Sequence, residues 1–254
     1  MKTGLVSVTF RKLQPEEIIR LAAESALDVI EWGGDIHVPC GDTDTARRVG
    51  EMTRRAGLSV ACYGSYLRLT DGEDPLPAVR TAQALGAPLL RVWAGKKGSA
   101  EASEQDRAQI VRNARVCADA ARACGIDVAF EYHGGTLTDS SASCLKLLRE
   151  ADRANLFTLW QPPVGMSTED CVRGIRAAAP FIRNIHVFSW REHERLPLSE
   201  GREKWAACLR EIRALPGERC LLLEFVAGDD PACFSADART LKQWLREAEN
   251  TEER

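Results

Sequence analysis

The chain has 254 residues, of which 44% are hydrophobic and 28% are charged, and its formal net charge is −3. This length can bury one large core, while the slightly acidic balance offers no positive field for nucleic acid or an anionic membrane. The N-terminal stretch MKTGLVSVTF lacks the pattern of a secretory signal, and no apolar run reaches the roughly 18 residues of a membrane span. We therefore expect one cytoplasmic domain over residues 1–254 that binds neither nucleic acid nor membrane.

The nine cysteines are scattered along the chain and form no C-x-x-C pair. Several occupy apolar positions of predicted helices, as Cys117 does. Cysteines of this kind usually act as small buried hydrophobes in a reducing compartment. We expect free thiols, which agrees with a cytoplasmic location.

Short apolar and β-branched runs alternate along the whole chain with longer amphipathic stretches. Runs that are apolar on both faces are typical of a parallel sheet covered on both sides. The predicted strands cover residues 4–10, 28–32, 58–63, 89–94, 127–132, 156–161, 184–189 and 220–225.

The stretches between these runs carry helix signals. Residues 14–26 begin with Pro15 and two glutamates, and residues 103–125 open on Ser103 as a cap and end on a glycine. A third helix is predicted to start at Ser167 or Thr168 and to stop at Pro180, and a last one to begin at Ser235.

Eight consecutive β-α units predict a (β/α)8 TIM barrel. The alternative is an open doubly wound sheet, which would carry a glycine-rich turn after its first strand. The sequence TFRKLQPEE at that position contains no glycine. The barrel is therefore the predicted fold.

Polar residues stand at the ends of four consecutive strands, where a barrel of this type places its working groups. They are Glu131, Gln161, His186 and Glu224. Ionised carboxylates inside apolar strands are costly unless they are compensated, and a divalent cation would compensate both glutamates. We predict a site for Mn²⁺ or Mg²⁺, with Co²⁺ or Zn²⁺ as alternatives. Arg91 offers a different partner for the carboxylates, so a site without metal stays open at this point.

These residues carry a resemblance that covers nearly all of the chain. The sequence resembles the xylose-isomerase-like sugar phosphate isomerase/epimerase superfamily, which binds its metal through Glu, Asp, His and Glu from successive strands. The segment EYHGGTLTDS looks like the Glu-x-His segment of that superfamily. Gln161 departs from the pattern, since an aspartate usually stands there. An amide oxygen can still bind a hard cation, and we expect weaker retention of the metal.

The resemblance implies a metal-dependent isomerase or epimerase that acts on a sugar or sugar derivative through an enediolate. Carried over from the superfamily, Glu131 and Glu224 are the acid/base pair as well as metal ligands. Homo-oligomers are common among such proteins, so the resemblance leaves a homo-oligomer open, while the sequence itself does not indicate the oligomeric state. The alternatives are a dehydratase or lyase on the same site and a non-catalytic sugar-binding barrel. A multi-metal nuclease is disfavoured by the presence of only four histidines.

Aromatic and polar residues near the strand ends suit the apolar faces and hydroxyls of a sugar. The long charged stretch over residues 191–205 is a candidate lid. The predicted substrate contacts are His37, Tyr63, Arg91, Trp93, His133 and Trp190.

Overall fold

The computed structural model describes residues 1–250 and contains a closed barrel of eight parallel strands. The barrel strands are β1 (Lys2–Val6), β2 (Val29–Gly33), β3 (Ser59–Gly64), β4 (Leu89–Val92), β5 (Asp127–Glu131), β6 (Leu156–Trp160), β7 (Ile182–Val187) and β10 (Cys220–Leu223). Each strand pairs with its neighbour in sequence, and β1 closes the ring by pairing with both β2 and β10. The predicted (β/α)8 TIM barrel is confirmed.

Eight helices surround the barrel and cover its outer face. They are α1 (Pro15–Glu24), α2 (Thr43–Arg55), α3 (Leu76–Leu85), α4 (Glu104–Ala123), α5 (Ser141–Ala151), α6 (Thr168–Ala178), α7 (Arg202–Arg213) and α8 (Pro231–Asn250). The Ser103 cap is confirmed, since its side chain accepts from the backbone N–H of Asp106. The predicted start of the last helix at Ser235 is wrong. The helix begins at Pro231, because Asp230 accepts the Ala232 N–H at 2.8 Å and proline suits the first helical position.

The first strand is shorter than predicted. Residues 7–10 leave the sheet as a buried 3₁₀ turn, Ser7–Phe10, instead of extending the strand to residue 10. The Ser7 hydroxyl accepts the backbone N–H of Gly33 at 2.9 Å and so ties this turn to the end of β2. No helix within residues 1–250 is long and apolar enough to cross a bilayer. All nine cysteines are free thiols.

The stretch after β7 is an ordered hairpin, not an open loop over residues 191–205. Its strands are β8 (Ser189–Arg191) and β9 (Glu194–Leu196), which pair antiparallel, and α7 already begins at Arg202. The hairpin stands beside the barrel end that carries the predicted ligands.

Small and medium apolar side chains fill the barrel interior below that end. Val29, Ala129 and Leu222 belong to this interior cluster. Each lies two residues before a glutamate, which belongs to the same strand in β2 and β5 and directly follows it in β10, and side chains two apart share one face of a strand. Alternation therefore places Glu31, Glu131 and Glu224 inside the barrel, one layer above the apolar residues.

Candidate metal centre and adjoining cavity

The four predicted metal ligands meet around one nitrogen of His186. Its Nδ1 lies 3.0 Å from Gln161 Oε1, 3.4 Å from Glu224 Oε2 and 3.9 Å from Glu131 Oε1. Glu131, His186 and Glu224 each offer a ligand atom within 4.8 Å of the others, and all three are buried. The four strand ends thus converge as the sequence predicted.

The spacing and the charge of this cluster fit a divalent cation. Octahedral ligands at about 2.1 Å from an ion are roughly 3 Å apart when adjacent. The atoms around His186 Nδ1 stand at comparable separations, from 3.0 to 3.9 Å. Three buried carboxylates, Glu31, Glu131 and Glu224, face the single guanidinium of Arg91, so with a neutral histidine the cluster lacks two positive charges.

Gln161 is oriented by its own amide. Its Nε2 donates to the backbone carbonyl of Tyr132 at 2.7 Å, which turns Oε1 toward His186 Nδ1. An amide oxygen held in this way can serve as a neutral ligand. This orientation favours Gln161 as a cation ligand over a residue that only separates the groups around it.

Arg91 lies at the centre of the barrel and contacts two of the buried carboxylates. Its Nε donates to Glu31 Oε1 at 2.7 Å, and its Nη1 forms an ion pair with Glu131 Oε2. The side chain is 2% exposed. Arg91 lines the cavity described below, as expected of a substrate contact, but its charge is already engaged by protein carboxylates. The charge of Glu131 can therefore be compensated by Arg91, by a divalent cation, or by both.

Glu31 is the residue of this centre that the sequence analysis did not select. Its second oxygen, Oε2, lies 3.2 Å from His186 Nε2. The sequence feature that identifies Glu31 as a site residue is a carboxylate near the end of a buried strand, on the same face as Val29.

The two predicted catalytic glutamates differ in their hydrogen bonding. Glu131 Oε2 accepts from both Arg91 Nη1 and the indole N–H of Trp93. An oxygen with two N–H donors has both of its lone pairs occupied. Within residues 1–250, no guanidinium or indole hydrogen bond is made to the side chain of Glu224, which lines the cavity.

Burial and charge act in opposite directions on the ionisable groups of the centre. Burial raises the pKa of Glu31, but Arg91 and His186 outweigh it and lower that pKa to about 2. Burial lowers the pKa of His186, whereas the carboxylates of Glu224 and Glu31 raise it to about 10. A cluster that attracts a proton so strongly is also a cluster that attracts a cation.

A cavity of about 540 Å³ opens above these residues. Its walls include four predicted substrate contacts, Arg91, Trp93, His133 and Trp190. Trp93 stacks on His133 with ring centroids 4.4 Å apart, which forms one flat wall. The cavity is also lined by Arg11, Tyr66, Phe188 and Phe225.

His37 and Tyr63 do not reach this cavity. His37 Nδ1 lies 3.0 Å from Ser7 Oγ, and the ring is buried under the turn that follows β1. The Tyr63 hydroxyl donates to the carbonyl of Val38 at 3.0 Å. Cys62 and Gly64 take the inward positions of β3, so alternation turns Tyr63 outward. Both residues stabilise the loop after β2 and do not contact the site.

Two aromatic wall residues adopt left-handed backbone conformations. Tyr66 has φ of 60° and Phe225 has φ of 57°. Such values are uncommon for bulky residues and persist where the surroundings hold them. The backbone N–H of Phe225 donates to Thr9 Oγ1 at 3.0 Å, and Arg195 of the hairpin lies 4.3 Å over its ring.

The fold and the site together define the class of the protein. The chain belongs to the family described as xylose isomerase-like TIM barrel, which it matches over residues 19–248. The resemblance inferred from the strand ends is thereby confirmed.

Among characterised proteins, the chain is similar to 3-dehydroshikimate dehydratase of Bacillus anthracis. The two are 25% identical over 233 residues, which cover 85% of this chain and 81% of the dehydratase. The crystal structure of the probable 3-DHS dehydratase from the same organism superposes with a TM-score of 0.81 at 22% identity, covering 95% of this chain and 99% of the other. An L-ribulose 3-epimerase superposes with a TM-score of 0.79 at 18% identity, covering 99% and 97%. At such identities the two solved structures show a shared fold.

Proposed function

We propose that the protein is a divalent-cation-dependent lyase that removes water from a small polyhydroxylated carbonyl compound. The observation that carries the proposal is the double hydrogen bond to Glu131 Oε2 from Arg91 and Trp93. With that oxygen occupied and Oε1 facing the ligand cluster, Glu131 has no oxygen free to accept a substrate proton. Of the two predicted catalytic glutamates, Glu224 is then the one with an oxygen free to act as base.

The cation supplies polarisation of a substrate carbonyl, which acidifies the neighbouring C–H bond. Glu131, Gln161, His186 and Glu224 would hold it. Glu224 then takes the proton from carbon. The electron pair of the broken C–H bond forms a C=C bond as the C–O bond to the adjacent hydroxyl breaks. The proton on Glu224 passes to the departing hydroxyl, which leaves as water, and the carboxylate is restored.

A site in which only one of the two glutamates can act as base affects the predicted epimerase activity and the predicted isomerase activity differently. Epimerisation at one carbon needs a proton acceptor on one face and a proton donor on the other, which the occupied oxygen of Glu131 disfavours. Aldose–ketose isomerisation can move a proton between neighbouring carbons with a single base, so it stays as the second candidate. Similarity to a characterised dehydratase favours loss of water.

The test uses the purified 254-residue chain with Mn²⁺. It is incubated with 3-dehydroshikimate, the substrate named for its relative, and separately with a panel of ketoses and aldoses. We expect a product lighter than its substrate by one water, formed by the wild type and not by Glu224→Gln. A product of unchanged mass from a sugar would overturn the lyase proposal in favour of isomerisation. Solvent deuterium incorporated at one carbon with inverted configuration would show that both glutamates act.

A further inference from the structure

A buried carboxylate that is not one of the predicted metal ligands contacts the imidazole of His186 on the edge opposite those ligands. Glu31 lies at the end of β2 and has no exposed side-chain surface. Its Oε2 is 3.2 Å from His186 Nε2, on the opposite edge of the ring from the four ligand atoms. His186 is itself fully buried. No substrate can reach this contact, so it serves the protein interior alone.

The contact fixes which ring nitrogen carries a proton. An ionised carboxylate can only accept hydrogen bonds, so Nε2 beside Glu31 must carry the hydrogen. In the neutral ring this leaves a lone pair on Nδ1, the nitrogen that faces Gln161, Glu224 and Glu131. Even a protonated Nδ1 has a single N–H group, which cannot donate to all three of the oxygen atoms around it. A divalent cation held by these groups would satisfy all of them.

Arg91 joins this support to the ligand set. Its guanidinium donates to Glu31 through Nε and contacts Glu131 through Nη1, so one rigid group sets the positions of both carboxylates. A planar guanidinium keeps such contacts in a fixed relation, which a lysine cannot do. Gly64 on β3 makes room, since a Cβ at that position would overlap Arg91 Nη2.

We propose that Glu31 is a positioning residue for the metal centre. It holds His186 in the Nε2–H form and aims Nδ1 at the cation, while Arg91 keeps Glu31 in place. The proposal rests on the cation site of the proposed function and not on the reaction that follows. Carboxylates that hydrogen-bond a ligating histidine orient the ring and strengthen it as a ligand.

The experiment compares wild type with Glu31→Gln, which keeps the size of the side chain and removes its charge. Mn²⁺ affinity is measured by titration calorimetry, and we expect it to fall roughly 10- to 100-fold. Asp237→Asn is the matched control, since it neutralises a buried carboxylate of α8 outside this cluster, and it should bind Mn²⁺ as the wild type does. An unchanged affinity in Glu31→Gln would overturn the proposal.

A second measurement does not depend on the folding of Glu31→Gln. Long-range ¹H–¹⁵N correlation spectra of ¹⁵N-histidine protein loaded with Mg²⁺ report the tautomer of each of the four histidines. We expect His186, identified by its absence in His186→Asn, to carry its hydrogen on Nε2. A hydrogen on Nδ1 in the wild type would overturn the proposal by itself. Tight Mn²⁺ binding without turnover of any substrate would instead overturn the proposed function and leave the role of Glu31 standing.

Discussion

Arg91 and Glu31 form an ion pair inside the barrel, with Nε 2.7 Å from Oε1 and neither side chain more than 2% exposed. The two residues come from β4 and β2, so the pair passes over the intervening strand β3. Two charges taken out of water in this way depend on one another, because removal of either leaves the other buried and uncompensated.

Arg91→Met should therefore destabilise the protein strongly. The change leaves Glu31 and Glu131 without their guanidinium, and we expect the free energy of unfolding in EDTA to fall by roughly 3–5 kcal/mol. Urea denaturation followed by circular dichroism measures it. Arg176→Met is the control, since its pair with Glu211 is 65% exposed on the arginine side and solvent screens it, so its loss should change the free energy of unfolding little. Equal losses in the two variants would contradict the assigned role of Arg91.

Mn²⁺ should stabilise the wild type against heat. An ion at about 100 times its dissociation constant adds roughly 2.7 kcal/mol, which corresponds to a rise of about 5–10 °C in Tm for a chain of this size. His186→Asn should abolish the shift, whereas His193→Asn, an exposed residue of the hairpin turn, should retain it. No shift with Mn²⁺, Mg²⁺, Co²⁺ or Zn²⁺ would favour a non-catalytic sugar-binding barrel.

Glu224→Gln and Glu131→Gln should separate turnover from cation binding. Glu224→Gln removes the base but keeps an oxygen ligand, so kcat should fall by about 10²–10⁴ while Mn²⁺ still binds. Glu131→Gln breaks the contact with Arg91, and the main loss should be in Mn²⁺ affinity. Rates and calorimetric affinities are measured side by side. Near-wild-type turnover by Glu224→Gln would remove that residue from the reaction.

Gln161→Asp should tighten cation binding. The substitution adds a negative charge beside His186 Nδ1, and cation affinity rises with ligand charge, so we expect an increase of about tenfold or more. Gln161→Ala, which removes the oxygen, should weaken binding in the same calorimetric assay. If neither variant changes the affinity, the amide oxygen of Gln161 is not a ligand.

Asp237 should make stability depend on pH. Burial raises the pKa of this carboxyl to about 6 from an ordinary 3.8, although the Leu198 N–H that it accepts acts in the opposite direction. The folded state then holds more protons than the unfolded state between those values, so the free energy of unfolding falls as pH rises through that range.

Asp237→Asn removes the charge and keeps an acceptor for Leu198. At pH 8 the variant should be more stable by on the order of 1 kcal/mol, less than the full shift implies because solvent screens part of the effect. Near pH 4 the two proteins should converge. Denaturant unfolding across this series checks it, and a difference that does not vary with pH would contradict the assignment.

Much of the site could be predicted because a parallel barrel aims its strand ends at one point. Glu131, Gln161, His186 and Glu224 each follow from the end of a recognisable strand, and they meet as expected. The same rule names Glu31, but its partner His186 is 155 residues away and stands across the barrel. Such a contact depends on how the strands are staggered around the barrel, and the pattern of residues along the chain does not show that stagger.

The errors have local causes. The position of His37 after a strand predicts a place in the pocket, yet the chain turns back after β2, and Ser7 and Leu13 contact its ring instead. Tyr63 is predicted to contact substrate, but alternation along β3 turns its side chain outward. For Arg91 the sequence leaves open whether it contacts substrate or pairs with a carboxylate. The three-dimensional arrangement shows that it forms ion pairs with Glu31 and Glu131.

The glycine at the end of β3 has a consequence for recognising related chains. A Cβ at Gly64 would overlap the guanidinium of Arg91, so the glycine on the intervening strand gives the buried ion pair its room. A barrel sequence with glutamate ending its second strand, glycine ending the third and arginine inside the fourth should carry the same internal ion pair. An alanine or larger residue at the middle position should accompany loss of the arginine from the fourth strand, and with it loss of the contact that holds Glu31 beside His186.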